Sequence, residues 1–506
     1  MKNRIRILET SDVHGYIFSR SYADGTLENR GLSKISSLMN ELKDENTIMI
    51  DNGDNLQGSP LMYYHFQNHP DEISPITKAM DAVGFDYFNI GNHDFNYGEE
   101  ALIRHIVNLK APCITSNAIF NGEPLGPSYV IREIGGKKIA IFGVVTQYIP
   151  NWEVPAHIKG FTFLDAYETA KKTVELIRAL EKPDYVIGVY HGGFERSLTN
   201  GQPTEDLTGE NEAYAMCRDI KGLDILLTGH QHRSLAGKLF DTVYTSTAAN
   251  GAELACIDIY TDTGVIEPQI FKADGPDNPE IDAVAEEEEK ECQAWLDSPL
   301  GTSKIDLSIP DENAARLRKS QVITFLNMVE KDATGADLCA SALFLHAKGF
   351  SHDITMRELV STYPFPNTLV VKKITGKILR EYLEMDADFW SIRDEHIIVS
   401  PWHDFPTPTH YNYDMVDGIE YTIKVSNDVG ERITSLTYNG EEVTDDMEFT
   451  LCINNYRAAG GGNFNMLKEA PIVKVVERPM VELIADWLKE HKVVDFEPVN
   501  NIQVIK

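Results

Sequence analysis

Apolar residues in the first half of the chain fall into two patterns, short dense runs and longer stretches spaced every three to four positions. The short runs are Ile5–Leu8, Ile48–Ile50, Phe85–Ile90, Tyr185–Val189 and Ile225–Leu227, rich in branched and aromatic residues, and they predict strands. The spaced stretches predict helices over Leu32–Lys43, Pro75–Val83, Tyr97–Val107 and Ala166–Leu180. Strands alternating with helices over residues 1–274 describe an α/β domain. Each strand-like run is followed by a polar block. In order these are Asp12-Val13-His14, Gly53-Asp54, Gly91-Asn92-His93-Asp94, His191-Gly192-Gly193 and Gly229-His230-Gln231-His232. Ligands of an open α/β sheet bind beyond the carboxyl ends of its strands, so these blocks are placed to converge on one crevice.

The pattern changes after residue 274. Asp274-Gly-Pro-Asp-Asn-Pro-Glu280 is turn chemistry, and Glu286-Glu-Glu-Glu-Lys-Glu291 reads as a solvated helix face. Val322, Phe325, Leu326 and Val329 then repeat at helical spacing, which predicts one linker helix over Arg316–Ala333. From Thr334 a second domain is expected, with strands over Asn367–Lys373, Ile419–Val425 and Phe449–Asn454. The expected division is therefore 1–274, a linking segment 275–333, and 334–506.

Composition narrows the function classes. With 506 residues, 42% hydrophobic and 25% charged, the chain is an ordinary globular protein of two or three domains. A formal charge of −32 leaves no basic stripe to release counterions from a nucleic-acid polymer. It is compatible with a mononucleotide, because bound cations supply positive charge locally. The six cysteines are scattered without a Cys-x-x-Cys pair and read as isolated buried thiols. No run reaches the roughly 18 apolar residues of a membrane span. The apolar residues beside Lys2, Arg4 and Arg6 form a strand rather than a signal-peptide core, so a cytoplasmic location is expected unless a leader was removed.

The polar blocks combine carboxylates, an amide oxygen and imidazoles, a mixed N/O set that suits two divalent cations about 3.5–4 Å apart. All five blocks, in this order, resemble the calcineurin-like metallophosphoesterases. The resemblance implies an α/β/β/α sandwich in which Asp12, His14 and His232 bind one metal. Asn92, His191 and His230 would bind the other, with Asp54 bridging them. It also implies a catalytic His93 oriented by the Asp94 carboxylate. Manganese, iron, cobalt or zinc would all accept these ligands.

The second half resembles the C-terminal domain of the 5′-nucleotidase family, a smaller α+β nucleotide-binding domain. The resemblance is carried by Thr362-Tyr-Pro-Phe-Pro-Asn-Thr-Leu369, by Ile374-Thr-Gly376 with Leu379–Leu383, and by Asn454-Asn-Tyr-Arg-Ala-Ala-Gly-Gly-Gly-Asn-Phe464. It implies that Phe365 and Tyr456 sandwich a nucleobase, each stack being worth about 1–3 kcal/mol. It places Asn367, Arg457, Gly460, Gly461 and Gly462 around the substrate. The three glycines by themselves would serve either a close ligand approach or a flexible turn. Typical 5′-nucleotidases carry an Asn-x-Gly-Gly-Ile-Arg segment, whereas Gly335–Phe344 here has neither the arginine nor the paired glycines. Asn454–Gly462 and His410–Tyr421 instead resemble the 2′,3′-cyclic-nucleotide 2′-phosphodiesterase/3′-nucleotidase branch. The expected activity is a two-metal hydrolysis of cyclic nucleotides and then of 3′-nucleotides. The competing readings are a 5′-nucleotidase or broad nucleotide phosphatase and, from another class, an inactive nucleotide-binding protein.

Overall fold

The computed structural model describes residues 4–365, 367–404, 408–476 and 478–506. Lys2, and Pro366 of the Thr362–Leu369 motif, lie outside them. The chain divides into two compact units, 1–293 and 294–506. Among the described residues no helix is long and apolar enough to cross a membrane. All six cysteines are buried and free.

The first unit is built on two sheets. One has the order Val265–Lys272, Glu253–Tyr260, Arg4–Thr10, Thr47–Asp51, Tyr87–Phe88. The other runs Leu235–Leu239, Thr242–Ser246, Ile225–Thr228, Tyr185–His191, Lys137–Val145, Val130–Ile134. Strand alternation assigns the faces. Ile5, Ile7, Ile48 and Ile50 of the first sheet share one core cluster with Ile139, Ile141, Ile187, Val189, Ile225 and Leu227 of the second. The intervening Ala140, Phe142, Val144, Val186 and Leu226 point the other way, onto Ala170, Val174 and Ile177 of helix Ala166–Leu180 and onto Met216 of helix Ala213–Asp219. Arg4–Thr10, Thr47–Asp51 and Tyr87–Phe88 are parallel, as are Lys137–Val145, Tyr185–His191 and Ile225–Thr228. Their carboxyl ends within each sheet therefore share one edge, and the polar blocks leave from it.

Helices Pro75–Val83 and Ala166–Leu180 match their predicted bounds, each opened by a side-chain cap at Ser74 and Asp165. The Phe85–Ile90 strand is only Tyr87–Phe88, because the Ile90 amide turns to the Thr115 hydroxyl. Helix Pro60–Asn68 was not predicted, although Ser59-Pro60 is a cap followed by proline at the first turn. The acidic run forms helix Glu286–Leu296, but it is not simply a solvated face. Glu289 is buried under the Tyr22 hydroxyl at 2.9 Å, and Glu288 pairs with His65 Nδ1 at 2.6 Å.

In the second unit a five-stranded sheet has the order Asp414–Asp417, Leu338–Ala342, Glu448–Asn454, Leu369–Thr375, Ile472–Val476. The predicted linker helix is two helices, Glu312–Leu317 and Gln321–Thr334. Lys319 takes a left-handed φ of 51°, and Ser320 caps the second helix by accepting from the Val322 amide. That second helix is a core element rather than a linker. It buries Val322, Phe325, Leu326 and Val329 and packs on strand Leu338–Ala342 and helix Met480–His491.

Arg6 and Asp258 are register partners on adjacent antiparallel strands and join by two 2.7 Å hydrogen bonds in a buried, forked pair. Asp258→Ala strands the guanidinium and should lower stability by about 3–5 kcal/mol in urea denaturation. Asp258→Asn, which keeps one acceptor, should cost less. A loss equal to that of a surface substitution would show that water reaches Arg6.

Candidate metal centre

Strand ends deliver the polar side chains, and the backbone then bends sharply to aim them. Asp12, His14, Asp54, His230 and His232 all hold positive φ, between 52° and 69°. Non-glycine residues are uncommon there and pay in strain, so the surrounding contacts must fix them. They do. Asp12 N donates to Gly53 O at 2.9 Å, His14 N to Asp54 O at 2.8 Å, and Asn250 N to Asp12 O at 2.7 Å. Gly91 leaves room for the carboxylate, since a Cβ on it would lie 2.1 Å from Asp54 Oδ1.

Two groups of donor atoms result. Asp12, His14 and His232 form one, and Asp54, His191 and His230 the other, each with its ligand atoms within 4.8 Å of one another. His14 Nε2 and His232 Nε2 are 3.0 Å apart. Asp54 Oδ2 lies 3.2 Å from His191 Nε2 and 4.0 Å from His14 Nε2, so it reaches both groups. Asn92 Oδ1 is 2.8 Å from His230 Nδ1. The tautomers follow from the neighbours. His14 Nδ1 donates to the Gln57 carbonyl at 2.8 Å and His191 Nδ1 to the Asn52 carbonyl at 2.6 Å, which leaves each neutral ring with an Nε2 lone pair aimed inward. His191 Nε2 and Asp54 Oδ2 are buried, and neither completes a hydrogen bond. Facing acceptors of this kind fit divalent cations held by nitrogen and oxygen.

The electrostatics carry the same demand. Burial disfavours a charged His191, yet Asp54 and then Asp12 outweigh it and push the ring up to about 10. Burial opposes ionisation of Asp54 too, but His191 and then His93 hold it well below the usual carboxylate range. Without metal, a proton on His191 stands where a cation would. His14 goes the other way, down to about 4, through burial and then the neighbouring His232.

His93 sits at the edge of this cluster, its ring centroid 5.3 Å from that of His14 and its amide donating to Asp54 Oδ1 at 2.7 Å. The expectation that Asp94 orients the His93 ring is corrected. Asp94 is fully committed to backbone amides, accepting from Asp54, Asn55, Leu56 and Gly91 at 2.7–3.0 Å. It grips the loop that carries Asp54. Asn96 holds the ring instead, with its Oδ1 2.7 Å from His93 Nδ1. Asn96 ends the turn His93–Phe95, at an i, i+3 spacing from His93, a signal present in the sequence. Two further neighbours have no such signal: Glu210 Oε1 lies 3.1 Å from His230 Nε2, and the Trp152 ring lies 5.4 Å from the His230 ring.

The second unit brings its two aromatic motifs to one end of a strand pair. Leu369 is the register partner of Asn454, and Asn455 N bonds Thr368 O at 3.0 Å, so Phe365 and Tyr456 leave from the same end. Phe365 is 37% exposed with its ring 5.0 Å from Phe344, and Tyr456 meets Tyr411 edge-on at 6.2 Å. Asn367 follows Phe365 by two residues, and its carbonyl accepts from the Met480 amide at 2.8 Å. Arg457 departs from its expected place at the substrate. It is buried, forked onto Asp414, bonded to the Tyr411 and Gly461 carbonyls, and stacked 3.9 Å over Phe464. The glycines wrap this strut. Gly460 and Gly462 take φ of 93° and 72°, and a Cβ on Gly461 would strike the Tyr456 ring at 2.5 Å.

Comparison with known proteins agrees with this architecture. Residues 5–234 match the calcineurin-like phosphoesterase family, and residues 299–469 match the 5′-nucleotidase C-terminal domain. A 2′,3′-cyclic-nucleotide 2′-phosphodiesterase/3′-nucleotidase of Salmonella typhimurium is 28% identical, over 90% of this chain and 81% of its own length. One of the same name from Haemophilus influenzae is 26% identical, over 96% and 84% respectively. A Staphylococcus aureus structure provisionally named a 5′-nucleotidase, solved with α-ketoglutarate, is 32% identical with a TM-score of 0.93, covering 99% of this chain and 100% of that one. The chain therefore belongs to the 5′-nucleotidase family of metal-dependent phosphoester hydrolases, a calcineurin-like phosphoesterase domain followed by a 5′-nucleotidase C-terminal domain.

Proposed function

We propose that this chain hydrolyses 2′,3′-cyclic nucleotides to 3′-nucleotides and these to nucleoside and phosphate, with two divalent cations. The observation that carries a two-cation centre is Asp54 Oδ2, buried without a hydrogen bond between the His191 and His14 rings. Asp12, His14 and His232 would hold one cation, Asn92, His191 and His230 the other, with Asp54 shared. When bound, such cations supply Lewis acidity and bring the pKa of a water toward neutrality. The names of the Salmonella and Haemophilus relatives favour the cyclic and 3′-substrates. So does the stretch Gly335–Phe344, which lacks the arginine typical of 5′-nucleotidases.

The protein's own groups have separable tasks in this reading. His93 stabilises negative charge on the phosphoryl oxygens, its ring held by Asn96. Asp94 keeps the Asp54 loop in its strained conformation. Phe365 and Tyr456 stack on the nucleobase, and Arg457 with Gly460, Gly461 and Gly462 keeps the Tyr456 ring in place. Water attack on a cyclic ester breaks the bond from phosphorus to the 2′-oxygen and leaves a 3′-monophosphate. A second hydrolysis breaks the bond to the 3′-oxygen.

Comparing 2′,3′-cyclic AMP, 3′-AMP and 5′-AMP on one purified sample tests the substrate assignment. The first two should turn over well and 5′-AMP poorly; a preference for 5′-AMP would make the chain a 5′-nucleotidase.

Asp54→Ala should abolish turnover and lower metal content, because both cations lose a ligand. His93→Ala should keep its metal while kcat falls about 10²–10⁴-fold. Metal loss in His93→Ala matching that in His191→Ala would make His93 a ligand.

Phe365→Ala or Tyr456→Ala should lower kcat/KM for 2′,3′-cyclic AMP by about 1–3 kcal/mol and spare a methyl phosphodiester. Equal losses on both substrates would remove the base-stacking role.

A further inference from the structure

His93 is backed by a chain of polar contacts that ends on a loop far away in sequence. Its Nδ1 lies 2.7 Å from Asn96 Oδ1, and Asn96 Nδ2 donates to Glu153 Oε2 at 2.6 Å. The other carboxylate oxygen, Oε1, accepts from the Val154 amide and meets His157 Nδ1, both at 2.8 Å. Glu153 is buried, between the short turns Ile149–Asn151 and Pro155–Ile158. The preceding residue, Trp152, lies against the His230 ring. One loop thus backs both a candidate ligand and the candidate phosphoryl-facing histidine.

The chemistry of an amide makes the far end of this chain decisive. Rotating the Asn96 amide by half a turn exchanges an acceptor for a donor at His93 Nδ1. Asn96 alone cannot choose between the two. A carboxylate accepts on both oxygens, so the group that Asn96 turns toward Glu153 must be the NH₂. Oδ1 then faces His93, Nδ1 carries the hydrogen, and Nε2 becomes the only ring nitrogen able to exchange a proton with a substrate.

We propose that Glu153 is a positioning residue that sets the tautomer of His93 through the Asn96 amide. The proposal rests on the reading of His93 as the group at the phosphoryl oxygens. A glutamate that merely capped its own turn through the Val154 amide would influence stability and leave the chemistry of His93 alone.

Four variants separate these possibilities, read by kcat, KM and metal content on 2′,3′-cyclic AMP. Glu153→Ala should lower kcat about 10–100-fold, the scale of partners behind a site ligand, with KM and metal unchanged. Glu153→Gln, nearly isosteric, should also lose turnover, because one of its two terminal groups is a donor. Asn96→Asp introduced into Glu153→Ala should recover most of the loss, since a carboxylate at 96 accepts from Nδ1 without being oriented. Asn96→Asp alone should fall below that double variant, because it sets two carboxylates face to face. A readout independent of turnover is the ¹⁵N shifts of the His93 ring in metal-free protein. They should report Nδ1–H in the parent and lose that preference in Glu153→Gln. Wild-type kcat in Glu153→Gln, or no rescue by Asn96→Asp, overturns the proposal. Full turnover in His93→Ala would instead overturn the reading it rests on, so the two failures are distinguishable.

Discussion

Buried acceptors facing one another are the constraint around which the first unit is organised. His191 Nε2 and Asp54 Oδ2 stand 3.2 Å apart, with Asp12 Oδ1 3.8 Å from the same nitrogen, and all three side chains are buried. Left to themselves, these groups would recruit a proton or rotate away. Rotation is blocked because each ring is tied at its other nitrogen, His191 to the Asn52 carbonyl and His14 to the Gln57 carbonyl. Loop relaxation is blocked as well. Asp12 and His14 are pinned by the backbone of Gly53 and Asp54, while Asp94 gathers the amides that follow. Strain and unpaired polarity accumulate in one place, and the two-sheet core supplies the rigidity that retains them.

The Gly91–Asn96 turn shows how finely this work is divided among neighbours. Asn92 faces His230, the His93 amide takes one oxygen of Asp54, Asp94 grips the Asp54 loop, and Asn96 holds the His93 ring. A single short helical turn sends successive side chains in different directions, so adjacent residues serve separate tasks. The second unit uses a comparable economy. Arg457 neighbours the aromatic Tyr456 yet turns inward as a strut for the glycine loop, with Asp414 as its counter-ion. Its charge is neutralised internally, which leaves the exposed ring of Phe365 and the Tyr456 ring as the aromatic groups of that loop end.

Much of this was determined by sequence alone, for a local reason. Apolar runs and helical spacing are properties of neighbouring residues, and caps such as Ser74 and Asp165 act within one turn, so Pro75–Val83 and Ala166–Leu180 were legible in full. The grouping of Asp12 with His14 and His232, and of Asp54 with His191 and His230, was legible because each block lies just beyond its strand, and parallel strands present the same ends. Asn96 was within reach too, three residues from His93, but the adjacent Asp94 was the more obvious carboxylate.

Tertiary structure alone decided which polar groups became partners. Asp94 serves amides 38–40 residues away, Glu153 lies 57 residues from Asn96, and Tyr22 is 267 residues from the Glu289 it covers. Such pairs are set by sheet register and loop path rather than by spacing along the chain. The same holds for the acidic helix, whose composition predicts solvent exposure until Tyr22 and His65 pack over one side. A carboxylate looks alike in sequence whether it faces water, a cation or an imidazole. The groups that the fold places opposite it fix its role, because hydrogen bonds and ion pairs act only across a few ångströms.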